Sequence, residues 1–292
     1  MTEKTETPKI NRGIFFGMMF RSLRDLCIPM RRPVSEKIEI KKDELRVWMI
    51  GHATALINIY GTTILTDPIL VHSLPFPRRV IAAGYTAEEL PHLDLVVVSH
   101  AHLDHFNKPS LRAIVEKTDT IIVPRKCSDV IAGMNFKKVV ELDWEQTFAT
   151  PEITVTAYRT EHWGKRYPWE TVDRGFNCYV FEKNGHAVFF GGDTGYGSYF
   201  REIGRRHALD VALLPISAYN PEWFRVHHMN PADALRAAKD LNTKHVIPIH
   251  WGNFRLSLES LLEPPELFLK LADEQGIKDS AHLLLNGESF LL

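Results

Sequence analysis

Cysteine is scarce in this chain. Three residues, Cys27, Cys127 and Cys178, are far apart, and no C-x-x-C occurs. An odd, scattered set supports neither a disulfide framework nor a thiolate metal site; it reads as reduced buried thiols, so a cytoplasmic protein is expected. Charge of one sign is also lacking. A formal net charge of −1 leaves no basic field, and nucleic acid is not an expected partner. No apolar run reaches the roughly 18–20 residues of a membrane span. No G-x-x-x-x-G-K-[ST] phosphate loop occurs, and the glycine-rich "GGDTGYG" is better read as a tight turn that presents Asp193. What the chain has in unusual number is histidine, 14 in 292 residues.

The chain divides into an N-terminal extension, residues 1–44, and a domain over 45–292. Within the extension, residues 12–32 set Ile14, Phe15, Phe16, Met18, Met19, Phe20, Leu23 and Leu26 among Arg12, Arg21, Arg24, Arg31 and Arg32. A basic amphipathic helix of this kind suits peripheral contact with an anionic membrane surface. The alternatives are a helix packed on the protein's own body or a dimer arm, which would make the chain a homodimer.

From Arg46 the text is dominated by strands. "RVWMI", "TALINIY" and "TTILTDP" are short, β-branched and punctuated by glycine, like a meander. "LDLVVVSH", "TIIVP", "KVVELDW", "ITVTAYRTEHW", "NCYVFEK", "HAVFFGGD", "DVALLPIS" and "KHVIPIHW" follow. Helices are expected at "SLRAIVEKT", capped by Ser110, at "NPADALRAAKDLN", capped by Asn230, and at "PPELFLKLADEQG", stopped by Gly276. A strand or hairpin around Asn286-Gly287 closes the chain. Strands first, then strands mixed with helices, suggest two helix-covered sheets in one domain.

"SHAHLDHFN" directly follows the apolar run "LDLVVV". It holds His100, His102, Asp104 and His105 in six positions, an arrangement with a chance frequency of roughly 1 in 600 for this composition. His162, Asp193 and His250 also stand where a strand runs out into a loop. Strand ends can converge at one edge of a sandwich, and loops there carry chemistry. Imidazole and carboxylate without thiolate suit zinc, with iron or manganese as alternatives. Seven donors exceed one tetrahedral ion and suit two.

H-x-H-x-D-H followed by a distant His, Asp and His resembles the ligand signature of the metallo-β-lactamase superfamily. "GHATALI", "LTDPI", "EHWGKR", "GDTGY", "HHMNPADA", "IHWGNF" and "LEPP" resemble, within it, the N-acylphosphatidylethanolamine-hydrolysing phospholipase D branch over roughly residues 45–290. The resemblance implies an α/β fold, the four-layer αββα sandwich. It implies two Zn²⁺ per chain: one on His100, His102 and His162, the other on Asp104, His105 and His250, with Asp193 bridging. It implies a phosphodiesterase in which a metal-activated hydroxide attacks the phosphorus of a phospholipid and releases N-acylethanolamine or a head-group alcohol. The H-x-K-x₄-D motif of the other phospholipase D class, whose histidine is a nucleophile, is absent.

The resemblance also places Asp67 behind the ligands, and His228 beside the phosphate as a donor or acid, so Asp104, Asp193 and His228 are the catalytic candidates; His52 stands either behind the ligands or in the core as a satisfied histidine. His227 is a weaker candidate, and Lys165 and Arg166 are candidates to steer phosphate. Trp163 and Trp223 are the better choices to line an acyl channel, with Tyr60, Trp169 and Phe224 behind them. Leu103 stands where the animal enzymes of that branch have an aromatic residue, and Glu161 where they have Gln; both positions fall near the substrate head group. A lactonase or other phosphodiesterase acting on a soluble substrate is the alternative activity, and a non-catalytic lipid-binding protein the alternative class.

Overall fold

The computed structural model describes residue 30, residues 33–74 and residues 77–292. Apart from Met30, the amphipathic segment 12–32 lies outside the described residues, and so does Cys27. The first run of strands is β1 (Leu45–Gly51), β2 (Thr54–Ile59), β3 (Thr62–Thr66), β4 (Leu93–Val97), β5 (Thr118–Pro124) and β6 (Lys138–Leu142). The second is β7 (Thr147–Ala149), β8 (Thr154–Arg159), β9 (Asn177–Lys183), β10 (His186–Phe190), β11 (Val211–Pro215) and β12 (His245–Ile249), and β13 (Ser289–Leu291) ends the chain. They form a seven-stranded sheet in the order β13-β1-β2-β3-β4-β5-β6 and a six-stranded sheet in the order β12-β11-β10-β9-β8-β7.

The inner strands are apolar on both faces because both faces are covered, while β6 and β7 at the sheet edges are largely exposed. In β9, Tyr179 and Phe181 point between the sheets, where they meet Val47, Ile57, Leu95, Val155 and Val188. Cys178 and Val180, one residue out of phase, face a layer of helices. Burying each large apolar side chain is worth about 1.5–3 kcal/mol. Helix α1 (Lys108–Ile114) covers the first sheet through Leu111 and Ile114, packed on Val96 and Ile121. Helices α2 (Tyr199–Arg206), α3 (Pro231–Leu241) and α4 (Glu263–Glu274) cover the second through Phe200, Ile203, Leu235, Leu241 and Phe268. Helix, sheet, sheet, helix is the expected αββα sandwich.

Two expectations change in detail. Helix α1 is capped by Asn107, whose side chain accepts from the Ser110 N–H at 3.0 Å; the Ser110 hydroxyl instead donates to Asn107 and accepts from the Leu70 N–H. Helix α2 has no counterpart in the sequence reading. Before β1, Ile38 and Ile40 lie against the outer side of the first sheet. Among the described residues, no helix is long and apolar enough to cross a membrane.

Strand direction determines where the site forms. β1 and β3 are both antiparallel to β2, and β4 runs parallel to β3, so β1, β3 and β4 point one way. In the second sheet β8 and β10 are both antiparallel to β9, and β11 and β12 run parallel to β10. His52, Asp67, His100–His105, His162, Asp193 and His250 all follow the C-terminal ends of these co-directional strands. They therefore share one edge of the sandwich. Tyr60, which precedes β3, is at the other end, where its hydroxyl meets His186 at 2.8 Å. That placement removes it from any channel beside the site.

Candidate metal centre

The centre is built outward from Asp67. This buried carboxylate follows β3 at a left-handed φ of 33°. Its Oδ1 accepts from the Ser99 N–H at 2.7 Å; its Oδ2 accepts from the Ser99 hydroxyl at 2.6 Å and from His105 Nδ1–H at 2.6 Å. Burial pushes the Asp67 carboxyl above its ordinary range, against the pull of His105 and Ser99. The Ser99 hydroxyl has one proton and gives it to Asp67. The His100 Nδ1, 2.8 Å from the Ser99 oxygen, must therefore be the donor in that contact. One carboxylate thus holds two imidazoles, His105 directly and His100 through Ser99.

The consequence is where the bare nitrogens point. His100 carries its proton on Nδ1, so its Nε2 faces the centre as a lone pair; His105, donating from Nδ1, turns its Nε2 towards Asp193 and Asp104. His162 Nδ1 meets the backbone oxygen of His227 at 3.1 Å; an oxygen of that kind only accepts, so His162 Nε2 is bare as well. His100 Nε2 lies 2.8 Å from His102 Nδ1, and His162 Nε2 lies 3.3 Å from the same atom. Burial lowers the pKa of His100 and His162 well below the usual histidine range, and that of His102 to about 4. His102 Nδ1 carries at most one proton and can satisfy only one of these two lone pairs; the other is left facing the group, where a cation would satisfy it.

A second group stands beside the first. Asp104 Oδ2 is 3.2 Å from His52 Nε2 and 3.6 Å from both His105 Nε2 and His250 Nε2. Asp193 lies between the groups. Its Oδ2 is 3.1 Å from His105 Nε2, 3.7 Å from His228 Nδ1 and 4.0 Å from His100 Nε2; its Oδ1 is 3.2 Å from His250 Nε2. His105 Nε2, Asp193 Oδ1, His228 Nδ1 and both nitrogens of His250 are buried without a hydrogen bond of acceptable geometry. Burial opposes charge on His105, yet Asp193, Asp104 and Asp67 outweigh it and pull its pKa well above the ordinary value. The centre therefore demands positive charge. Nitrogens 2.0–2.1 Å from one ion at tetrahedral angles stand ~3.4 Å apart, close to several of these separations. The residues present fit metal ions.

Local chain geometry explains the convergence. After β4 the chain turns at once, with the Phe106 N–H on the His102 oxygen at 2.8 Å. Arg166 Nη1 donates to the backbone oxygens of Ala101 and Phe106, 2.9 Å each, so it brackets the histidine loop. That engagement ties it to the loop that bears the histidine cluster. Gly192, at φ 57°, packs against Ser99 just before Asp193; a Cβ there would lie 2.5 Å from the Ser99 Cβ.

The pocket candidates divide. Trp163 stacks against His162 at 4.3 Å and lies 4.8 Å from His102 and from His227. Trp223 sits half-exposed on the short turn Glu222–Val226 beside Phe224, which is 6.1 Å from His228. Leu103 and Glu161 are half-buried, and the Glu161 N–H is held by Thr194 Oγ1 at 3.0 Å. Trp169 is 78% exposed and stacked on Tyr167 rather than on a histidine. The Asn230 helix is capped by its own Asn230 side chain, so His228 is not needed there. Sequence reasoning missed Ser99 as the link between Asp67 and His100; the available signal was a small hydroxyl residue between a buried strand and the first histidine. A further His92, Asp94 and Asp119 group lies at the surface and is already satisfied, with His92 and Lys137 on Asp119 and Thr63 on Asp94.

A family model described as "Beta-lactamase superfamily domain" matches residues 62–251. An uncharacterized protein of Mycobacterium tuberculosis is 34% identical over 245 residues, 80% of this chain and 65% of that protein. The mitochondrial N-acyl-phosphatidylethanolamine-hydrolyzing phospholipase D of Saccharomyces cerevisiae is 33% identical over 274 residues, 89% of this chain and 58% of the yeast protein. The chain thus spans less than two thirds of the length of either relative. A metallo hydrolase from Ignicoccus hospitalis has the same fold, with a TM-score of 0.67 and 21% identity over 85% of this chain and 98% of its own. The αββα sandwich with imidazoles and carboxylates gathered at one strand edge is that of the metal-dependent hydrolases. This chain belongs to the beta-lactamase superfamily.

Proposed function

We propose that the chain is a two-metal phosphodiesterase of the phospholipase D type, acting on N-acylated or ordinary phospholipids. The single observation that supports the metal reading is the convergence of His100 Nε2 and His162 Nε2 on one atom, His102 Nδ1, at 2.8 and 3.3 Å, with more lone pairs there than protons to satisfy them. In this reading these three histidines hold one ion, Asp104, His105 and His250 hold the other, and Asp193 serves both. Zinc suits these donors best. Such a pair of ions, when bound, supplies Lewis acidity and an activated water at neutral pH. The substrate reading is supported by the name of the yeast relative and by charge: two dications less two carboxylates leave the centre positive, which favours an anionic phosphodiester.

The chain's own residues have the remaining tasks. Asp67 and Ser99 hold the Nδ1 sides of His100 and His105, so Nε2 of each is turned inward. His228, driven to a pKa of about 3 by burial, is neutral at working pH, and its unpartnered Nδ1 lies beside Asp193. It donates a hydrogen bond to a phosphoryl or departing oxygen. Trp163 walls off the His102–His162 side and limits water there. Residues 45–292 form the hydrolase domain, and residues 12–32 bring it to a vesicle surface.

The test uses full-length protein with zinc supplied. Elemental analysis is expected to find about two ions per chain. Vesicles containing N-acylated and ordinary phosphatidylethanolamine are expected to release their head-group alcohols. Absence of bound metal overturns the enzyme reading. Two bound ions with cleavage of a lactone but of no phosphodiester overturns the substrate reading alone.

A further inference from the structure

We infer that His52 is a positioning residue for the Asp104 and His250 side of the centre alone, acting through an Nε2–H hydrogen bond to Asp104. The inference rests on the metal reading above and extends it to a residue outside the seven donors. His52 sits in the turn between β1 and β2, just past the register shift between Met49 and Gly51, at a left-handed φ of 62°. A histidine held there is under strain that the surroundings must stabilise. Four contacts do so. Its backbone oxygen accepts from the His250 N–H at 2.9 Å. Its ring lies 4.1 Å from the His250 ring, and Phe254 stands edge-on behind it at 5.1 Å. Its Nε2 is 3.2 Å from Asp104 Oδ2.

Three imidazole nitrogens surround Asp104 Oδ2, but only that of His52 is at hydrogen-bonding distance; those of His105 and His250 stand off at 3.6 Å. An N–H from His52 to this oxygen, the one that faces His105 Nε2 and His250 Nε2, holds it where those two nitrogens converge. It also fixes the carboxylate plane. The same residue steadies His250 through its backbone and ring. His52 is in ring contact with His105 and His250 and with none of His100, His102 and His162. Its influence is therefore confined to one ion.

The test isolates the imidazole from the backbone. In His52→Gly the left-handed φ carries no penalty, and the residue 52 oxygen still accepts from His250. Metal-free full-length protein is titrated with Zn²⁺ against a chromophoric chelator. The expected result is one ion bound as in wild type and the other weakened about 10- to 100-fold, the range for residues that orient a ligand. His52→Gln, whose amide nitrogen reaches the position of the imidazole Nε2 and can donate to Asp104, is expected to retain most of that affinity. Both ions unchanged in His52→Gly, both weakened alike, or His52→Gln as weak as His52→Gly each overturn the inference. Should the glycine variant not fold, His52→Ser carries the same comparison. Wild-type protein that takes up no zinc would instead bring down the underlying metal reading.

Discussion

At the end of the sandwich where β10 begins, His186 has both ring nitrogens engaged: Nε2 with the Tyr60 hydroxyl at 2.8 Å and Nδ1 with Asp210 at 3.0 Å. Asp210 also accepts from Lys244 at 2.7 Å and from the Ala187 N–H at 3.1 Å. At the end where β12 stops, His250 has neither ring nitrogen hydrogen-bonded, and Asp193 Oδ1 is equally without a partner. Both ends bury histidines and aspartates at strand termini. One end satisfies them within the protein and thereby joins the two sheets. The other leaves polar atoms facing a shared centre, at a cost in stability that only a bound cation offsets. Completeness of pairing, rather than residue type, separates structural clusters from reactive ones.

The contrast breaks most sharply on the two aspartates. Asp193→Asn is expected to abolish both metal uptake and hydrolysis, read by elemental analysis and turnover. Asp210→Asn is expected to leave both intact while costing about 1–3 kcal/mol in denaturant unfolding, because buried donors lose their acceptor. If Asp210→Asn also removed metal, the two ends would not be independent.

His228→Ala probes the edge of the reactive cluster. Metal content is expected to stay near wild type while hydrolysis falls about 10²–10⁴-fold. Loss of metal would make His228 a ligand; an unchanged rate would remove it from the site. Asp67→Asn is expected to weaken both ions about 10- to 100-fold, since it releases His105 and, through Ser99, His100. Weakening of one ion alone would refute the shared support.

Acid titration of chelated protein sharpens the comparison further. His52, His102 and His228 are buried neutral, with pKa values lowered to about 3, about 4 and about 3 by burial. Unfolded histidine binds its proton near pH 6.5, so the unfolded state gains protons first. Stability conferred by these groups is whole above that pH and is lost as pH falls from about 6.5 towards about 3–4. The slope is up to about 1.4 kcal/mol per pH unit for each histidine. Asp210 behaves differently. Burial would raise its carboxyl, but Lys244, the Ala187 N–H and His186 together bring it below the ordinary value. Its contribution is present above the unfolded value near 4 and fades only below it. Denaturation midpoints measured from pH 8 to 3 should therefore begin to fall near 6.5 in wild type, and less steeply in His228→Ala. A midpoint flat down to pH 4 would contradict the neutral, buried state of these imidazoles.

The sandwich was legible because its strands are short apolar runs ended by glycine or polar residues, and "LDLVVV" or "HAVFF" tolerates burial on both faces. The donor set was legible because every member follows such a run. Helix α2 was not: "YFREIGRR" is short, charged and interrupted by Gly204. That glycine is needed by packing, since a Cβ there would lie 2.5 Å from the Leu241 oxygen of α3. Asn107 displaced Ser110 as the cap of α1 because both are good capping residues and only the chain path selects between them. Ser99 and Arg166 act across gaps of 32 and 65 residues, on Asp67 and on the Ala101 oxygen, and no local pattern encodes such pairings. Tyr60 was misplaced for the same reason: proximity to a turn says nothing about which edge of a sheet the turn occupies.

The Arg166 bracket has a bearing on redesign. Arg166 belongs to the loop that carries Glu161 and Trp163, yet its guanidinium grips the segment bearing His100 to His105. The two segments are mechanically geared together through one side chain. A loop graft meant to retune the substrate, transplanting residues 161–170 from another hydrolase, would carry away that grip unless an arginine is kept at position 166. Variants selected for new substrates should accordingly accumulate changes on either side of Arg166 and seldom at it.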